Sequence, residues 1–211
     1  MSQSVHIFGG HVHSMCFLFV RGRATVSDRS LLKCLGLEDY EAVPSGMRPS
    51  RPHVFLDGDD EWLHLADDLR YSLCNRGFQA AFDSVANCFP GLDVFGAWAG
   101  DCDYSFGFAY RSGGGWSRNF EVWDYHFDRS KRDIVINSGK PLAAEFPLEE
   151  TGDPLKYVLS LAESLGVRLN HTANSLRCYA GPKDRARLLF NAITKLWIGK
   201  GKAKRPSSRV L

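Results

Sequence analysis

The sequence predicts an α+β fold: one domain over residues 1–198, with a mostly antiparallel, twisted sheet packed by amphipathic helices. Three observations carry this. Apolar stripes at helical spacing recur along the chain. Between them lie β-rich runs, several with period-two alternation. Turn residues join some of these runs directly, which makes antiparallel neighbours. The strands number about five to seven, the usual size of a sheet.

"HSMCFLFVRG" reads as a strand that is apolar on both faces, as central strands are. "VSDRSLLKCLGL" reads as a short helix, with Ser27 or Asp28 as N-cap, a stripe of Leu31, Leu32 and Leu35, and Gly36 as its stop. Residues 38–52, with three prolines, read as a loop. "HVFLDGDDEWLHLADD" reads as a hairpin turning at Asp57-Gly58. "GFQAAFDSVANCFPG" spaces Phe78, Ala81, Phe82, Val85, Ala86 and Phe89 along one helical face and ends at Pro90-Gly91. "LDVFGAWAG" is a strand.

In "DYSFGFAYR", Tyr104, Phe106, Phe108 and Tyr110 share one parity and read as a core ladder. The small residues opposite leave room for a helix. "SGGG" turns the chain. The return run "SRNFEVWDYHF" changes parity, so a bulge near Val122 is expected, or both faces are covered. "DIVINSGKPLAAEFP" gives a short strand and an extended segment. "DPLKYVLSLAESLGV" is a helix with Asp153 as N-cap, Pro154 at its first position and Gly166 beyond its end. "SLRCYAG" is a further candidate strand, and "PKDRARLLFNAITKLWIG" a last helix.

Charge is unevenly placed. Residues 199–211 hold five basic residues and no acidic one, leaving 21 basic against 24 acidic residues, a net of −3, in the rest. The tail reads as disordered. Clustered Lys and Arg suffice for weak nucleic-acid contact, but no helix-turn-helix, zinc-finger or RNP-type motif accompanies them. The six cysteines show no CxxC pair and sit mostly among apolar neighbours, as buried free thiols do in a reducing compartment. With no long apolar run and no basic leader, the chain reads as cytoplasmic, with no membrane partner.

Several constellations bear on chemistry. His11 and His13, near His6, have a workable metal spacing but no visible third ligand. "DGDDEW" lacks the calcium-loop spacing. No metal and no cofactor are expected. Nucleophile elbows, phosphate loops and dinucleotide fingerprints are absent. Asp101, Asp103, Asp124, His126 and Asp128 fall at strand ends that a hairpin brings together. A hydrolase using Asp103, Asp124 and His126 is therefore one open reading. The other is a binding surface at the hairpin tip, where Trp116 and Arg118 flank three glycines and Asp101 and Asp103 form a polar rim. Trp and Arg are the residue types that dominate interface hot spots.

From residue 92 the order of motifs resembles that of poorly characterised bacterial proteins of the immunity or sensor kind, encoded in conflict loci. The matching residues are Gly114 and Arg118 opening the return strand, then Gly139, Pro141, Leu142 and Glu145, then Leu165-Gly166 ending a helix. The resemblance covers about residues 92–167. It implies an α+β fold, no catalytic residues, and a protein partner, for instance a toxin. The sequence expectation is thus a non-enzymatic protein-binding domain, with the hydrolase as the alternative.

Overall fold

The computed structural model describes residues 6–7, 12–13, 16–44, 51–67, 77–100, 103–124, 131–150, 152–169 and 176–182. The last helix and basic tail expected from the sequence lie outside them.

One nine-stranded sheet organises the chain. In chain order its strands are β3 (Cys16–Arg21), β4 (Glu41–Val43), β5 (His53–Gly58), β6 (Trp62–Asp67), β7 (Val94–Ala99), β8 (Phe106–Arg111), β9 (Ser117–Trp123), β10 (Asp133–Gly139) and β11 (Arg177–Ala180). Across the sheet the order is β10-β9-β8-β7-β3-β6-β5-β11-β4. Every neighbouring pair is antiparallel. A separate two-residue pair, β1 (His6–Ile7) with β2 (Val12–His13), sets His6 opposite His13.

The strand "CFLFVR" is the fifth of nine, and its composition explains why. Phe17 and Phe19 enter one core layer, Leu18 and Val20 the other, and all four are shut off from solvent. Helix α3 (Pro154–Ser164) packs on the first face, over Phe95, Phe106 and Phe108. Helices α1 (Asp28–Cys34) and α2 (Phe78–Cys88) contribute to the layer on the second, with Leu31, Leu32, Phe82 and Val85. A sheet covered on both faces by helices at different points along the chain is the predicted α+β domain. The sheet is larger than expected in part because β4, a three-residue edge strand, carries little pattern. Residues 41–43, read as part of a loop, form β4 beside β11.

The expected caps hold. Ser27 accepts from the Ser30 N–H, and Asp153 from those of Leu155 and Lys156, with Pro154 at the first turn. Ala109, opposite the ladder rings, is buried in the layer that α2 shares. Other expectations are corrected. Asp57-Gly58 ends β5 rather than turning it. The turn belongs to Asp59, whose Oδ1 accepts from the N–H groups of Glu61 (2.8 Å) and Trp62 (2.7 Å). Tyr104 precedes β8 and is exposed, so the buried ladder is Phe106, Phe108 and Tyr110. The bulge lies opposite Val122 on the partner strand. β8 and β9 pair without interruption, and the register slips between Ile134 and Ile136 of β10.

The cysteines are also corrected in part. Cys16 is a buried free thiol, but Cys34 and Cys88 form a disulfide, with Cα atoms 6.1 Å apart. No sequence spacing signalled it, because the two residues are brought together only when the ends of α1 and α2 meet. Among the described residues no helix is long and apolar enough to cross a membrane.

Candidate functional site

The β8–β9 hairpin tip is a tight turn over residues 112–116. Ser112 N–H donates to Trp116 O at 2.9 Å, and Gly115 N–H donates back to Ser112 O at 2.9 Å. Gly115 takes φ 92°, which a side chain would resist. The tip rests on the body through Gly113, whose N–H donates to Asp93 Oδ1 at 2.8 Å. Trp116 packs on Tyr110 with its ring tilted by 58° and centroids 4.9 Å apart, yet remains 39% exposed. It both caps the end of the core ladder and faces solvent.

Arg118 is placed differently from the expectation. It shares parity with Phe120 and Val122, so it points into the α3 face and is only 3% exposed. Its fork grips Glu145, Nε to Oε1 at 2.8 Å and Nη2 to Oε2 at 2.7 Å. Nη1 donates to Asn137 Oδ1 at 2.7 Å and Ser138 O at 3.0 Å. The guanidinium lies over the Phe120 ring, 5.1 Å from its centroid. Glu145 in turn accepts from Leu142 N–H at 2.7 Å. Gly139, at φ 83°, lets the chain pass against Ser117 and Arg118. Gly139, Leu142 and Glu145 of the sequence motif thus converge on Arg118 in one latch, which ties residues 140–147 to β9.

At the other end of the hairpin, Asp103 Oδ1 accepts from Ser105 N–H at 2.9 Å. Ser105 Oγ accepts from Asp124 N–H at 2.8 Å, and Asp124 Oδ2 from Tyr104 N–H at 3.4 Å. Asp103 and Asp124 are thus each tied to the Tyr104-Ser105 segment, with no described contact between the two carboxylates. Their described contacts are to backbone N–H groups, and they shape the entry to β8 and the exit from β9. Asp101, His126 and Asp128 lie outside the described residues, as does His11.

A second polar cluster was missed in the sequence. Asp57 and His64 face each other across β5 and β6, both fully buried, in line with Phe55, Trp62 and Ala66. Asp59 Oδ2 is 3.3 Å from His64 Nε2 and accepts from Arg168 N–H at 3.0 Å. Burial works to raise the Asp59 carboxyl. The hydrogen bond with His64 and those from the Trp62, Arg168 and Glu61 N–H groups outweigh it, and hold Asp59 well below the usual carboxylate range. The available signal was parity: Asp57 and His64 occupy core-facing positions of alternating strands. Asp59 also borders a cleft of about 480 Å³, lined with it by Arg21, Asp60, Glu61, Glu163 and Arg168 among others. Its two arginines are engaged, Arg21 with Glu61 and Arg168 with Asp60. Among the described residues no group of three His, Cys, Asp or Glu could hold a metal ion.

The exposed apolar side chains are concentrated elsewhere. Tyr104, Trp116, Trp123, Ile134, Val135 and Phe146 are the large exposed hydrophobics among the described residues, and all belong to β8–β10 or the segments flanking them. Trp123 leans on Trp98, centroids 5.5 Å apart, and Trp98 covers Gly107, where any Cβ would overlap the indole. Ile134 and Val135 lie on β10, an edge of the described sheet, and are about half exposed. Phe146 packs on Tyr157, whose hydroxyl burial pushes up to about 12. No family model, curated protein or solved structure matches the chain.

Proposed function

We propose that this chain is a non-enzymatic protein-binding domain whose contact surface is the β8–β10 end of the sheet, with Trp116 as its anchor. The observation that supports this reading is that the large exposed apolar side chains among the described residues all belong to β8–β10 or the segments flanking them. Solvent-exposed apolar groups gathered in one region mark interaction surfaces more often than scattered ones do. Trp116 meets the requirements of an anchor. Its ring is held on Tyr110, which lowers the entropy lost on binding, while its outer face stays open. Asp103, partly exposed, lies at the end of β8 away from Trp116, so it does not form the expected polar rim of the tip. Arg118 serves the surface from beneath, by fixing the segment that carries Phe146. The resemblance to immunity and sensor domains favours a toxin-class protein as the partner.

The test is affinity purification from the native host of wild type, Trp116→Ala and Val135→Lys, each checked to melt near the wild-type temperature. A protein that co-purifies stoichiometrically with wild type is expected to be lost from both variants, since a hot-spot truncation weakens binding by roughly 30-fold or more. Undiminished capture by both variants, or no captured protein at all, would overturn the reading.

A further inference from the structure

The disulfide between Cys34 and Cys88 joins the last residues of α1 and α2. Cys88 is exposed and Cys34 half-buried, so a small thiol can reach the bond, whereas Cys16 is sealed inside β3. Beyond the disulfide, the end of α2 is held by Val85 and Ala86, which are buried in the core layer. Its last turn has no basic residue, and the capping bond runs from Phe89 N–H to Val85 O. That same end supports the hairpin tip. Asn87 Oδ1 accepts from Arg111 Nη1 at 2.8 Å. Gly113 packs against the Gly91 carbonyl just past the helix, and Asp93 receives its N–H. The covalent tie and the residues that support the tip thus fall within a few positions of each other at the α2 terminus.

We infer that Cys34–Cys88 is a reversible redox clasp that sets the order of the 112–116 tip, and through it partner binding; the second half rests on the function proposed above. Opening needs a small dithiol. One of its thiolates attacks a protein sulfur, the S–S bond breaks, and the departing cysteine takes a proton from water. The second thiolate of the dithiol resolves the mixed disulfide, freeing the other cysteine, which is also protonated. Two electrons and two protons are gained by the protein, and the dithiol ends as its own disulfide. The α2 terminus then loses its covalent tie to α1 and keeps its backbone cap, the burial of Val85 and Ala86 and the Asn87–Arg111 bond, so the support under the tip loosens.

Hydrogen exchange of the full chain, with and without dithiothreitol, tests this without any partner, beside peptide mapping of Cys34 and Cys88. Reduction is expected to speed exchange roughly tenfold in residues 85–93 and 112–117 while β3 stays protected. Cys88→Ser should show the fast pattern already and not respond to dithiothreitol. Unchanged exchange at 112–117 on reduction would overturn the proposal. So would acceleration that includes β3, which makes the bond a general staple, or mapping that finds both thiols free after oxidation. If the exchange result holds but no partner is captured, the clasp stands and the binding reading fails.

Discussion

The two ends of the sheet use the same device, an arginine fork on a carboxylate, in different surroundings. At the β9–β10 end Arg118 holds Glu145 with side chains 2% and 13% exposed. At the β11–β4 end Arg177 holds Asp28, the first residue of α1, with 28% and 14% exposed, and Tyr179 adds a bond to Asp28 at 2.9 Å. The β4 end is blunt: three residues, followed by Pro44, which has no N–H to offer another strand. The β10 end is seven residues long and shows Ile134 and Val135 to solvent. One end is short and runs into a proline, and the other is long, apolar and braced from within. The difference teaches that the buried charge at the β10 end stiffens a region that shows apolar side chains to solvent.

Arg118→Ala should be the most damaging change at either end. It leaves the Glu145 carboxylate part-buried without its fork, at a cost of about 3–5 kcal/mol by the usual toll for breaking a buried pair. Urea unfolding measures it. Arg177→Ala should cost less, about 1–2 kcal/mol, because solvent screens that pair in part. Equal losses at the two ends would erase the contrast.

Acid should act on the β5–β11 end. Burial works to raise Asp28, but the bonds from Arg177 and Tyr179 outweigh it, and Asp28, like Asp59, lies below its ordinary value. A carboxyl depressed in the folded state contributes its full stability above the unfolded value. That stability is then lost as pH falls below about 4. Melting temperature should decline through that acid range, and Asp59→Asn should flatten the decline. The smallest effect is expected at Arg21, half exposed beside Glu61. Arg21→Ala should change stability by less than about 1 kcal/mol, read in the same urea titration.

Much of this contrast was legible in the sequence, and the illegible part has physical causes. Helices α2 and α3 announced themselves because their stripes persist for three turns, and Ser27 and Asp153 because capping is local chemistry. The central strand was plain from "CFLFV", apolar on both faces. β4 was invisible because three residues make no pattern. Arg118 was misplaced because its partner, Glu145, is 27 residues away, and nothing local tells an arginine that snorkels from one that is buried. Tyr104 was counted in the ladder because alternation continues past the point where β8 begins. The Asp57 and His64 pair was overlooked because Asp57-Gly58 read as the hairpin turn, which took Asp57 out of the strand that faces His64.

The central claim, that the β10 end meets a partner and the β4 end does not, is tested most directly by site-specific photo-cross-linking in the native host. A photoreactive amino acid is placed at position 116 or 134 of the β10 end, or at position 42 on the β4 edge. The account predicts one protein adduct shared by positions 116 and 134 and none at position 42. An adduct at position 42 with none at 116 or 134 would contradict it.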